Sequence, residues 1–163
     1  MRVLQLSHKS PQPSIDGGCI AINNITKGLI SNDIDIKVLT ISTHKHPFKE
    51  GNYEPEYLNK TDIQGIYVDT ELNVVDAFSS LVTSDSYNIS QFDIIHLESL
   101  FMTPYIHTIR RFPKGKIILR SHNLEYMIWE RLANAAVNPA KKIYLKILAK
   151  QLKKYESNVF NSI

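Results

Sequence analysis

Cysteine occurs once, at Cys19, which leaves neither a disulfide framework nor a cysteine-rich zinc module. That usage is expected of a reducing compartment. No apolar run approaches the twenty or so residues of a membrane span. The stretch at 3–6 ("VLQL") is shorter than the apolar core of a secretory leader. Internal repeats and low-complexity segments are missing as well. Metal patterns are weak: His44 and His46 have no third ligand near them in sequence, and Asp33 and Asp35 fall away from any strand end that gathers other polar groups. Neither metal nor cofactor is expected.

Excess charge is also missing, since the net balance is only +3. From residue 139 onward, however, six lysines face the single acid Glu156, so the preceding residues are slightly acidic. The basic excess is therefore a local surface and not the signature of a general nucleic-acid binder.

Short apolar segments alternate with helical ones. Residues 2–6 ("RVLQL"), 34–42 ("IDIKVLTIS"), 62–68 ("DIQGIYV"), 92–99 ("FDIIHLES") and 116–121 ("KIILRS") predict five strands. Helices are expected over 17–30, where Ile22, Ile25 and Leu29 recur at helical spacing, and over 73–83 and 101–111. Two more close the chain, at 125–136 and at 140–160 behind Pro139. Residues 44–61 have no period and form a long loop. This alternation predicts an α/β fold, a doubly wound parallel sheet in three α/β/α layers, with strand order 3-2-1-4-5. Ligands of such sheets bind beyond the carboxyl ends of the strands.

Three groups fall on that rim. In "HKSPQPSIDGGC" the pair Gly17 and Gly18 lets backbone approach a phosphate or diphosphate at a helix N-terminus. Equally, the stretch is a glycine turn capped by Asp16. In "RSHNLEYMIWER", His122 can hold or transfer a proton, while Asn123 and Glu125 can bind sugar hydroxyls. The structural alternative makes Asn123 an N-cap and Glu125 a first-turn acid. Arg120 either pairs with Glu98 or faces a substrate. His96 shares a face with Glu98 and reads as a core histidine. The dinucleotide fingerprint G-x-G-x-x-G is absent, and no acid follows the second strand.

On the last helix, Tyr144, Leu148, Leu152, Tyr155 and Val159 form an apolar stripe. Lys142, Lys146, Lys150 and Lys153 form a basic one, either a solvated face or a contact with anionic lipid headgroups.

Taken together, "PSIDGG" between the first strand and helix, "RSHNLE" after the fifth strand and "WERLA" behind it resemble the N-terminal domain of GT-B glycosyltransferases of the retaining family 4. The resemblance spans essentially the whole chain, residues 1–163. It implies a Rossmann-like acceptor-side domain that works with a donor-binding domain not contained in this sequence. The complete enzyme would move a sugar from a nucleotide-sugar to a saccharide or lipid-linked acceptor in surface polysaccharide or glycolipid synthesis. Residue by residue, Gly17 and Gly18 match the loop near the donor diphosphate, and His122 matches the histidine beside the transferred sugar. Arg120, Asn123, Glu125 and Glu98 stand on the acceptor side. The enzyme would be cytoplasmic, with peripheral contact at the inner face of the membrane. The 163-residue chain alone is expected to be inactive. The competing expectation is a stand-alone flavodoxin-like module binding a small anion or a partner protein.

Overall fold

The computed structural model describes residues 1–42, 61–67, 88–112 and 114–163. The expected helix at 73–83, most of the loop at 44–61, and His44 and His46 lie outside the described residues. Two compact units divide the chain, Met1–Arg120 and Ser121–Ile163.

The first unit is α/β. Its strands are β1 (Arg2–Ser7), β2 (Asp35–Ser42), β3 (Thr61–Tyr67), β4 (Ile94–Glu98) and β5 (Lys116–Arg120). All described pairings are parallel: β1 with β2 and with β4, β2 with β3, and β4 with β5. The neighbours run β3-β2-β1-β4-β5. Register aligns Ser7 with Glu98, and Glu98 with Arg120, so these three polar residues stand level at one edge of the sheet. Below them Leu4, Leu6, Ile95 and Leu97 are fully buried. Such near-continuous burial is what parallel strands covered on both faces require.

β5 departs from the buried strand expected of "KIILRS". It pairs with β4 alone among the described residues, and Ile118 on it is 47% exposed. Its apolar composition reflects strand propensity more than burial.

Helix α1 (Gly17–Ser31) forms where expected, but its buried row is Cys19, Ile22, Asn23 and Thr26. The apolar spacing placed Ile25 and Leu29 inward, and both are half-buried. Two polar residues take inward positions because partners wait there: Gln12 donates to Asn23 at 3.2 Å, and Thr26 donates to Gln5 at 2.6 Å. The helix expected over 101–111 is shorter and tighter. A 3-10 segment, Leu100–Tyr105, contains Pro104, and one α-helical turn follows as α2 (Ile106–Ile109). Proline removes an N–H and crowds the preceding turn, which delays regular helix until after it.

The second unit is a helical hairpin of α3 (Glu125–Ala135) and α4 (Pro139–Phe160), packed on each other. Asn138 caps α4 through the Lys141 amide at 3.1 Å, and Pro139 opens the helix. The inward row of α4 is Leu145, Ala149, Glu156 and Val159. This corrects the apolar stripe read from the sequence: Tyr144 and Tyr155 are exposed at 60% and 39%. Ala133 on α3 and Ala149 on α4 are both fully buried, and such small side chains let two helices approach closely.

Candidate functional site

In the first unit the rim is built where β1 runs into α1. Asp16 is the N-cap of α1: its extended backbone starts the helix, and its Oδ1 accepts the Cys19 amide at 2.8 Å. Lys9 reaches the same carboxylate, with Nζ 2.7 and 2.8 Å from the two oxygens. The ammonium lies over the first helical turn, because a Cβ added at Gly18 would stand 2.5 Å from Lys9 Nζ. A Cβ at Gly17 would meet nothing within 4 Å. Neither glycine has positive φ. Their use is therefore spatial: Gly18 makes room for Lys9, and Gly17 leaves backbone open. The N-terminal turn carries unpaired N–H groups and the positive end of the helix dipole. These donors and the Lys9 ammonium stand together at the start of the helix.

Cys19, directly behind, is fully buried, and burial pushes its thiol pKa up. The lowered value that a helix N-terminus can induce is not found, because desolvation disfavours the thiolate.

A second cluster lies beside it. Ser99 follows β4 with φ 97 and ψ 160, a backbone region occupied essentially by glycine. Three contacts of its amide and hydroxyl hold it there. Its amide donates to the Arg120 carbonyl at 3.0 Å, and its Oγ accepts the Phe101 amide at 3.2 Å. Oγ also lies 2.9 Å from His8 Nδ1, which is itself 3.1 Å from the Glu98 carbonyl. The His8 ring packs at 5.5 Å on Phe101, which is 59% exposed. Strain held by this many partners concentrates at functional sites.

Beneath the rim runs a buried polar chain. Thr26 donates to Gln5, Gln5 donates to Glu98 Oε1 at 3.0 Å, and Arg120 donates to Glu98 Oε2 at 2.8 Å. His96 Nε2 stands 3.7 Å from Glu98 Oε1, on the face that strand alternation assigned. Glu98 is fully buried. Its carboxylate is committed to protein partners, so it positions Arg120 and is not itself a surface for substrate. Arg120 is half-buried and keeps N–H donors beyond the one it gives to Glu98.

His122, Asn123 and Glu125 belong to the second unit. His122 is half-buried and Asn123 exposed. Asn123 is not the N-cap of α3: Leu124 holds that position and makes no side-chain capping bond. The Asn123 carbonyl instead accepts from Ser121 Oγ at 2.6 Å, and its side chain hydrogen-bonds the Glu125 carboxyl. The cap comes from α4, where the buried Glu156 accepts the Tyr126 amide on Oε1 at 3.3 Å. A carboxylate at a helix N-terminus both takes a free N–H and opposes the dipole. Burial, together with the charge of Glu156, pushes the Glu125 pKa up, against the lowering effect of Asn123. A carboxyl so placed holds a proton more readily than an ordinary surface glutamate.

On α4, Lys146, Lys150 and Lys153 are exposed and Lys142 is half-buried. Among the described residues no group of three or more His, Cys, Asp or Glu side chains could hold a metal ion, and no helix is long and apolar enough to cross a membrane.

The sequence places His8, Lys9 and Ser99 at strand ends on the rim but assigns no role to them or to Glu156. Lys9 and His8 stand in a polar loop without pattern, and positive φ at a serine leaves no trace in composition. Glu156 acts thirty residues from its partner. Neither any family model nor any curated protein matches the chain.

Proposed function

We propose that this chain is the acceptor-side domain of a retaining GT-B glycosyltransferase, a doubly wound, three-layer Rossmann-like unit. The complete enzyme moves a sugar from a nucleotide-sugar to a saccharide or lipid-linked acceptor. The supporting observation is the first turn of α1, with open backbone at Gly17 and the Lys9 ammonium held over its neighbour. A departing nucleoside diphosphate gains negative charge as the sugar bond breaks. Donors fixed beforehand in a site that excludes water stabilise that charge most effectively. Lys9 can exchange the Asp16 carboxylate for a phosphate oxygen while the free N–H groups of α1 take another. The charge-stabilising groups are then N–H donors and an ammonium, and the reading calls for no metal.

In this reading His122 holds the transferred sugar or its acceptor, and Asn123 and Glu125 bind hydroxyls. Glu125 suits such a role, since a half-buried carboxyl can accept from a hydroxyl. Arg120, steadied by Glu98, contributes its remaining donors on the acceptor side. The exposed Ile143, Tyr144 and Ile147 on α4 lie in sequence among Lys142, Lys146 and Lys150. That mixture suits peripheral contact with an anionic inner membrane surface, in the cytoplasm.

The test compares two proteins. Incubated with a panel of nucleotide-sugars, the 163-residue chain gives no turnover. A gene product carrying this chain plus a second Rossmann-like domain transfers sugar, and His122→Ala lowers the rate by about a hundredfold or more. Turnover by the chain alone, or an extended protein indifferent to His122→Ala, overturns the assignment. The Lys9 arrangement also favours a second reading, a flavodoxin-like module for a small anion. Submicromolar anion binding by a protein lacking any second domain would support that one.

A further inference from the structure

Lys146, Lys150 and Lys153 stand four and three residues apart, on one side of α4. With Glu130 and Asn134 from α3 they line a groove of about 450 Å³. A row of helical lysines ordinarily splays into water, whereas here the second helix supplies a wall. Lys153 is held with its ammonium 5.0 Å from the centre of the Tyr126 ring. Among the described residues, none forms an ion pair with Lys146 or Lys150. Three ammonium groups thus share one concave surface with a single carboxylate. Asn134 adds a neutral donor on the opposite wall.

We propose that this groove is a binding site for a phosphate group carrying two negative charges, either a lipid phosphomonoester headgroup or a soluble diphosphate. The lysines supply three charge-assisted donor groups, and the pairing of a compact dianion with several ammonium groups is among the stronger polar contacts available at a surface. Glu130 opposes the ligand, which sets a threshold: a single negative charge is poorly compensated, and a dianion well. The site lies wholly within the helical hairpin and does not depend on the sugar-transfer reading.

The experiment is an amide NMR titration of the 163-residue chain at low salt with inorganic pyrophosphate. It is paired with co-sedimentation on vesicles of phosphatidic acid in phosphatidylcholine, against phosphatidylcholine alone. Saturable shifts of α3 and α4 amides are expected, with an affinity independent of Lys9→Met, which separates them from any response at the first turn of α1. Lys146→Gln or Lys150→Gln weakens binding about fivefold each, and Glu130→Gln strengthens it. Lys141→Gln, two and a half helical turns from Lys150 and so on the opposite side of α4, leaves it unchanged. Recruitment to phosphatidic acid that pyrophosphate reverses identifies the lipid headgroup. Pyrophosphate binding without recruitment identifies the soluble ligand. Absence of saturation, or equal loss in Lys141→Gln and Lys150→Gln, overturns the proposal, because diffuse charge would then account for the response.

Discussion

Arg120 Nη1 lies 2.8 Å from Glu98 Oε2, across adjacent strands, and that carboxylate is wholly enclosed by protein. The guanidinium pairs with one carboxylate oxygen, and His96 Nε2 stands 3.7 Å from the other. Removing one partner of a buried pair leaves an uncompensated charge, which is usually worse than replacing both. Arg120→Met is therefore expected to destabilise the chain by about 3 kcal/mol. Adding Glu98→Gln should restore a substantial part of that loss. Urea unfolding of the two single variants and the double variant measures the coupling. Additive losses would mean that the pair does not act as a unit.

Ser99 separates backbone strain from side-chain bonding. Ser99→Ala keeps the unfavourable φ of 97° and loses the contacts to His8 and the Phe101 amide. Ser99→Gly loses the same contacts and relieves the backbone. The glycine variant should be the more stable of the two, by about 1–3 kcal/mol. Thermal unfolding gives the comparison, and equal melting temperatures would show that the turn is unstrained.

Asp16 has opposed effects on stability and on anion affinity. Asp16→Ala removes the cap of α1, a loss of about 1 kcal/mol. It also releases Lys9 and deletes a negative charge beside the open backbone at Gly17. Affinity for a nucleoside diphosphate should therefore rise while stability falls. Lys9→Met should lower the affinity. Calorimetric titration of both variants decides the matter, and a fall in affinity for Asp16→Ala would rule out this mode of anion binding.

Glu125 makes the hairpin sensitive to pH. Burial and the charge of Glu156 raise its folded pKa above the ordinary glutamate value. Between that ordinary value and the raised one, the folded hairpin binds more protons than the unfolded chain. Stability must then fall as pH rises through this window, and is fully recovered below the ordinary value. Glu125→Gln should flatten the dependence. Glu156→Gln, which keeps an acceptor for the Tyr126 amide, should bring the Glu125 titration back down. Carboxyl NMR titration of Glu125 in each background reads both effects.

The alternation of strands and helices was legible because each element announces itself locally. "VLQL", "DIKVLTIS" and "IIHLE" are short and apolar, and Asp16 and Pro139 mark helix starts by chemistry confined to one turn. Long-range decisions were not legible. Gln5 and Thr26 occupy interior positions only because Glu98 and Arg120 stand beyond them, and nothing in "RVLQL" displays that partnership. Apart from Val159, the inward row of α4 was read one residue out of phase. Glu156 interrupts it with a charge, and the tyrosines at 144 and 155 mimic an apolar repeat while staying exposed. At the rim, the glycines and the histidine motif stood out by composition. The cation that gives the glycine turn its charge lay in a loop without period, seven residues before its partner.

The capping of α3 by Glu156 also bears on how the protein is made. A polypeptide leaves the ribosome from its amino end, so the residues of α3 emerge well before the carboxylate that completes their first turn. That turn stays frayed until synthesis has passed position 156. A nascent chain stalled or clipped before that point would expose the α3 amino end to proteases. A single main-chain amide thus ties the completion of α3 to the later synthesis of α4.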